Sequence, residues 1–121
     1  MTPLAPGAAR GGARRAWAAL MVAMVMAAPA AASDDAAQME LGRQLFTQGA
    51  VPSCAVCHTL KDAGAQGAVG PVLDEIKPDA ERVATALRNG VGAMPSFKAT
   101  LSEEQIAALA RYVSVATGAA K

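Results

Sequence analysis

The two cysteines of the chain, Cys54 and Cys57, are separated by two residues, and its single histidine, His58, follows at once. This spacing is the attachment signature for c-type haem. Each thiol adds to one vinyl group of the porphyrin, and the imidazole reaches the iron from the same turn. Three other kinds of site fit less well. A zinc site needs about four ligands, and the chain offers two cysteines and one histidine. A dithiol oxidoreductase places its cysteines near a βαβ unit, which this sequence lacks, and a disulfide at this spacing would close almost no loop. The sequence therefore predicts one covalently attached haem c with His58 on the iron.

The composition agrees with an added apolar group. The chain has 121 residues, which is enough for one small domain. Beyond residue 32 its aromatic residues are Phe46, Phe97 and Tyr112, and a domain this small is marginal on its own core. A formal charge of +1 lacks the strong basic excess of a nucleic-acid binder.

Residues 1–32 are predicted to be a secretory signal. Three arginines precede an uncharged apolar run at 16–28, and alanines in an Ala-x-Ala pattern follow it. We expect cleavage after Ala32, with Ala30 as the second choice. An uncleaved anchor would need about 20 apolar residues, and the paired arginines leave the twin-arginine export route open. The mature domain, 33–121, is then a periplasmic protein without stable membrane insertion.

The mature domain shows helical signals and no strand-like alternation of useful length, so the predicted fold class is all-α. A first helix is expected from about Asp35 to Gln48, capped by Ser33 or Asp34 and stopped by Gly49. Residues 50–77 are rich in loops, with short helical turns expected after Cys54 and at 72–76.

Two further helices are expected in the second half of the domain. One starts with Pro78 as its first residue and ends at Asn89-Gly90. The other begins with a capping box of Ser102 and Gln105, and a contact between Leu101 and Ile106 can staple its start. Its apolar residues then recur at helical spacing, and Gly118 ends it.

The sixth iron ligand must come from outside the haem motif, because a second histidine is absent. Candidates are Met39, Met94, a lysine or water. Met39 falls on the apolar face of the first helix, whereas Met94 lies in a glycine-rich loop that Pro95 stiffens. We predict Met94 as the ligand. His/Met ligation raises the reduction potential and suits electron transfer rather than chemistry on a bound substrate.

In these features the chain resembles a class I cytochrome c over roughly residues 38–116. The shared features occur along the chain in the same order as in that family. They are Gly42 and Phe46, the haem motif, Gly70-Pro71, Met94-Pro95, Leu109, Tyr112 and Val113. The resemblance implies that the first and last helices cross, with loops wrapped around one haem. It also implies that Gly42 and Phe46 face Leu109 and Tyr112, and that the carbonyl of Pro71 accepts the ring N–H of His58. The residues implied to line the haem are Val72, Leu73, Ile76, Val83, Leu87 and Phe97.

The segment 51–64, together with Gly70-Pro71 and 73–75, resembles the small haem subunit of periplasmic sulfite dehydrogenases. In those enzymes a separate molybdenum subunit oxidises sulfite and the cytochrome takes the electrons. The predicted function is therefore a one-electron carrier, not itself an enzyme, with a haem-bearing dehydrogenase subunit as the alternative. Its redox partners would be a dehydrogenase as donor and another cytochrome or a terminal oxidase as acceptor.

A gas- or peroxide-binding haem protein is a minor alternative, because no distal His or Arg stands out in the sequence to support such chemistry. Three lysines, Lys61, Lys77 and Lys98, lie near the loops expected to frame the exposed haem edge. Each one singly is read as ordinary solvated charge. The weak net charge of the mature domain indicates no strong electrostatic steering toward a partner.

Overall fold

The computed structural model describes residues 1, 3–7 and 30–121. Most of the predicted signal, including its apolar run, lies outside these described residues. The elements are α1 (Ala30–Gln44), a π-helical turn (Leu45–Gly49), α2 (Cys54–Cys57), β1 (Thr59–Leu60), β2 (Ala65–Gln66), α3 (Leu73–Ile76), α4 (Ala80–Asn89) and α5 (Glu103–Ala116). Helices dominate, as the all-α prediction requires. Among the described residues, every helix is too short or too polar to cross a membrane.

The first helix differs from its prediction at both ends. It already includes Ala30, and Ser33, predicted as a cap, lies inside it and donates its hydroxyl to the carbonyl of Ala30 at 2.8 Å. Alanine is the best helix former, so the alanines before Ser33 extend the helix. At the other end the last turn is wider, because the Ala50 N–H donates to the carbonyl of Leu45 five residues back.

The helix predicted from Pro78 begins two residues later. Asp79 is its N-cap, and the Asp79 carboxylate accepts the backbone N–H of Arg82 at 2.8 Å. An aspartate oxygen satisfies an otherwise unpaired N–H of the first turn, which proline cannot do, so Pro78 precedes the cap. The helix ends at Asn89 as predicted, and Gly90 follows with a positive φ of 71°.

The start of α5 matches its prediction. Ser102 accepts the Gln105 N–H at 3.1 Å, while the Gln105 side chain accepts the Ser102 N–H at 2.9 Å. Leu101 and Ile106 are both buried in the same core cluster, as a staple at the start of the helix requires.

The crossing of α1 and α5 depends on Gly42. A β-carbon at this position would lie 2.5 Å from the Tyr112 β-carbon and would also collide with the backbone of Ala108. One turn later, Phe46 meets Tyr112 edge to face, with ring centroids 6.0 Å apart. The predicted contact of these helices is therefore confirmed, although Gly42 lies against Ala108 rather than Leu109.

A two-stranded antiparallel sheet follows the haem motif. It pairs Thr59 with Gln66 and Leu60 with Ala65. The Tyr112 hydroxyl donates to the Asp62 carboxylate at 2.6 Å. This bond fastens the turn between the two strands to α5 and so holds the haem motif against the helix crossing.

Candidate haem site

A cavity of about 380 Å³ opens between the haem motif, α3, α4 and the loop that carries Met94. This volume falls within the usual range for small-molecule and cofactor sites. Of the residues that resemblance and motif placed there, the lining contains Cys54, Cys57, His58, Pro71, Leu73, Ile76, Val83, Leu87, Met94 and Phe97. Most of the lining is apolar, as a flat apolar group requires.

The haem motif occupies one short helical turn. Ser53 precedes it and donates its hydroxyl to the carbonyls of Phe46 at 3.1 Å and Thr47 at 2.8 Å. The His58 N–H closes the turn on the carbonyl of Cys54 at 2.9 Å. These bonds hold the one turn that brings both cysteines and the histidine to the same cavity.

The imidazole of His58 is held from its far side. Its Nδ1 donates to the carbonyl of Pro71 at 2.9 Å, which leaves Nε2 as the nitrogen for a metal. Gly70 lies against the ring, and a β-carbon there would be 2.6 Å from Cε1 of His58. The bond implied by the resemblance is therefore present, and the glycine next to it leaves the ring the space it needs.

The two cysteine thiols are free of each other. Burial raises the pKa of the Cys54 thiol to about 11, so this thiol is protonated at neutral pH in the polypeptide alone. A structural zinc site needs about four ligands, and the cavity lining offers two cysteines and one histidine of the usual ligand types. The pair therefore fits covalent attachment to a porphyrin better than a zinc site.

The Met94 loop is pinned to the end of α4. Val91 and Met94 exchange backbone hydrogen bonds of 3.0 and 2.9 Å. Gly90 has room for its backbone only because it lacks a side chain, since a β-carbon there would lie 2.8 Å from the carbonyl oxygen of Met94.

Two further bonds fasten the loop after Met94. The Ser96 hydroxyl donates to the carbonyl of Arg88 at 2.5 Å, and the Phe97 N–H donates to the carbonyl of Leu87 at 2.7 Å. Met94, which lines the cavity, therefore lies in a loop that hydrogen bonds hold to the end of α4.

The structure separates the two methionine candidates. Met94 lines the cavity, whereas Met39 packs against the core cluster and is absent from the lining. The three lysines singled out in the sequence, Lys61, Lys77 and Lys98, are absent from the lining as well.

The observed lining differs at two residues from the lining expected from the sequence. Val72 is absent from the lining; it is the N-cap of α3, and its extended backbone leads into Leu73, which does line the cavity. Arg82 was not among the residues expected to line the cavity, yet it is part of the lining. The signal was available in the helical spacing, since Arg82 and Ala86 are four residues apart and share a face of α4.

Other lining residues were also missed. They come from loops, from α4 and from faces assigned only to the helix crossing, and they are Phe46, Pro52, Ser53, Val69, Pro78, Ala86, Val91, Ala93, Leu109 and Val113. Sequence spacing could not reveal that loop residues distant in the chain meet at one cavity.

Comparison with known proteins gives a family match. The family model described as cytochrome C oxidase, cbb3-type, subunit III matches residues 37–113. This range contains the haem motif, the Met94 loop and most of both crossing helices.

Individual relatives are cytochromes. Chloroplastic cytochrome c6 of Chlamydomonas reinhardtii is 35% identical over 77% of this chain, which spans 64% of the length of that relative. Cytochrome c-551 of Halorhodospira halochloris is 30% identical over 60% of this chain and 92% of its own length. The crystal structure of the c-type cytochrome SorU from Sinorhizobium meliloti matches with a TM-score of 0.66 and 53% identity, covering 69% of this chain and 94% of that one.

Proposed function

We propose a function from the family to which the chain belongs, the cytochrome c family that the cbb3-type subunit III model describes. The chain is a monohaem class I cytochrome c with one covalent haem c. We propose that it is a periplasmic one-electron carrier with His58 and Met94 as iron ligands. The c-type haem and the role in electron transfer follow from the family. The ligand pair, the compartment and the partners are the proposal.

One observation carries the proposed ligand pair. Cys54, Cys57 and His58 line the same apolar cavity as Met94, although Met94 lies far along the chain. Cys54 and Cys57 would hold the haem through thioethers, and His58 and Met94 would supply one nitrogen and one sulfur. Nothing else with a strong iron donor lines the cavity among the described residues.

When bound, the haem supplies reversible one-electron oxidation and reduction. His58 keeps its Nδ1 proton on the Pro71 carbonyl, which orients the imidazole and strengthens it as a donor. Met94 supplies a soft thioether, and this donor raises the reduction potential. The apolar lining would exclude water from the haem. Few polar groups would therefore have to rearrange around the haem when it loses or gains one electron.

The mouth of the cavity suits contact with a redox partner. Val69 and Val91 line the cavity and are still 75% and 64% exposed. An apolar rim of this kind favours a short-lived contact of modest area, below about 1,200 Å². We propose a dehydrogenase as electron donor and another cytochrome or a terminal oxidase as acceptor.

A sulfite-oxidising molybdenum enzyme is the first donor to test. The reason is the likeness of segment 51–64 to the small haem subunits of sulfite dehydrogenases. Rapid mixing of the oxidised cytochrome with such an enzyme and sulfite should reduce the haem many times faster than sulfite alone. Equal rates with and without the enzyme would remove this donor.

The periplasmic location rests on the predicted signal. Mass spectrometry of the exported protein should give a mature N-terminus at Ser33, or at Ala31 if cleavage follows Ala30. Recovery of the intact chain in the membrane fraction would instead support an uncleaved anchor.

Absorption spectra of two variants test the ligand pair. In Met94→Ala we expect the haem to stay attached, the weak far-red ferric band of methionine sulfur to vanish, and the reduced iron to bind carbon monoxide. Met39→Ala is the matched control, because Met39 packs on the core outside the cavity, and it should keep the far-red band.

The outcomes separate the alternatives. Loss of the band in Met39→Ala would move the ligand to the first helix. Persistence of the band in both single variants would overturn methionine ligation by either residue. Ready binding of carbon monoxide by the unchanged protein would favour a gas-binding role. Normal covalent haem in a Cys54→Ala and Cys57→Ala double variant would overturn the attachment itself.

A further inference from the structure

The haem motif is tied to the Gly70-Pro71 segment by hydrogen bonds of one constant spacing. The Gly70 N–H donates to the carbonyl of Cys57 at 2.7 Å, and Nδ1 of His58 donates to the carbonyl of Pro71 at 2.9 Å. In each bond the partners are 13 positions apart. The two segments therefore lie side by side and run in the same direction.

A third bond of the same spacing follows. The Lys61 N–H donates to the carboxylate of Asp74 at 2.9 Å, again across 13 positions. It differs from the other two bonds because its acceptor carries a charge. Hydrogen bonds to an ionised acceptor are roughly twice as strong as neutral ones, and Asp74 is half-buried rather than fully exposed. The only charged partner among these three bonds is thus the side chain of Asp74.

Both ends of this third bond lead directly to the imidazole and its acceptor. Lys61 comes three residues after His58, at the end of β1, and Asp74 comes three residues after Pro71, in the first turn of α3. Water could replace the carboxylate as an acceptor for the Lys61 N–H, but water could not hold the two segments at a fixed separation. The carboxylate therefore limits how far the Pro71 carbonyl can move from the His58 ring.

A hydrogen bond on the far nitrogen of an imidazole fixes the orientation of the ring and makes it a stronger donor to a metal. We propose that Asp74 is a positioning residue, whose carboxylate holds the Pro71 carbonyl against Nδ1 of His58 and so keeps the imidazole a strong donor to the haem iron. This inference deepens the proposed function and rests on His58 as an iron ligand.

The direction of the expected effect follows from donor strength and from charge. A strong imidazole donor stabilises the oxidised iron, which carries one more positive charge, so loosening the His58 bond favours the reduced state. Loss of the negative charge of Asp74 also favours the reduced state. The variants must therefore separate the lost hydrogen bond from the lost charge.

Three variants make this separation. Asp74→Ala removes both the acceptor and the charge, whereas Asp74→Asn removes the charge and keeps an amide oxygen that can accept the Lys61 N–H. Glu75→Ala is the matched control, because Glu75 is the exposed next residue of α3 and carries the same charge. Covalent haem and an unchanged far-ultraviolet circular dichroism spectrum establish that each variant is folded.

The main measurement is the rate at which the ring N–H of His58 exchanges with deuterium, followed by proton NMR of the reduced, haem-loaded protein. We expect this exchange to be about threefold to tenfold faster in Asp74→Ala, the range that loss of one hydrogen bond allows. Asp74→Asn and Glu75→Ala should stay close to the unchanged protein. At a fixed applied potential, the ratio of reduced to oxidised protein should rise more in Asp74→Ala than in Asp74→Asn.

The outcomes separate the role of Asp74 from the proposed function. Equal exchange rates in Asp74→Ala and Glu75→Ala would overturn the inference. Exchange as fast in Asp74→Asn as in Asp74→Ala would assign the effect to charge and would also overturn the positioning role. If His58 is a ligand, the porphyrin ring current must shift its ring protons strongly in the unchanged protein, and absence of that shift would contradict the proposed function itself.

Discussion

Replacing Gly42 by alanine tests how tightly the two crossing helices meet. A β-carbon at Gly42 would lie 2.5 Å from the Tyr112 β-carbon and 2.9 Å from the carbonyl carbon of Ala108, and closer still to the carbonyl oxygen of Ala108. Carbon atoms in contact prefer about 3.5–4.0 Å. The helices would therefore have to separate by about 1 Å, because rotation of a side chain cannot move atoms of the backbone or a β-carbon.

Two opposing effects set the magnitude. Alanine is better than glycine inside a helix by about 1 kcal/mol. Overpacking in a well-packed core costs about 1–3 kcal/mol, and the rigid atoms around Gly42 place this case near the upper end. The expected net loss in the free energy of unfolding is about 2 kcal/mol. For a domain of this size each kcal/mol lowers the melting temperature by about 4–8 °C.

The assay is guanidinium unfolding of the haem-loaded protein, followed by far-ultraviolet circular dichroism. Ala37→Gly is the control, because Ala37 is exposed on the same helix, and the variant measures the helix-propensity cost alone. Gly42→Val should destabilise more than Gly42→Ala. If Gly42→Ala proves as stable as the unchanged protein, or gains the 1 kcal/mol that propensity alone predicts, the reasoning about the crossing is refuted.

Three other variants probe the core and the two proposed iron ligands. Burial and a carboxylate hydrogen bond raise the pKa of Tyr112 above its ordinary value of 10, so the folded state holds the phenol proton more tightly than the unfolded state does. The stability that this proton contributes is complete below about pH 10 and falls above it. Tyr112→Phe should lower the free energy of unfolding by about 1–3 kcal/mol at pH 7 and should show a shallower loss of stability at alkaline pH; an equally steep loss would contradict this. Gly70→Ala should push a methyl group against the His58 ring, weaken its carbonyl bond and raise the reduction potential, and an unchanged potential would count against it. Ser96→Ala removes the 2.5 Å bond that fastens the Met94 loop, so added imidazole should displace the thioether at about fivefold to tenfold lower concentration, whereas Ser96→Thr should keep the original value.

The site was predictable where its chemistry is local. The cysteine and histidine spacing occupies one turn of backbone, so the residues that attach the haem could be identified from five consecutive positions. The capping box at Ser102 was predictable for the same reason, since its two hydrogen bonds join residues three apart. Local competition explains two errors, because alanines extended the first helix past Ser33 and the Asp79 carboxylate outcompeted Pro78 for the start of α4.

The sequence by itself determined the cofactor class and the helical class, and it predicted His58 as an iron ligand, since each depends on residue types at short spacing. Only the tertiary structure decided which apolar residues surround the cavity, that Val72 is not among them, and that Arg82 is part of the lining. Those facts depend on where loops distant in the chain meet. Contacts of that kind arise from packing between elements, and the spacing along one element does not contain them.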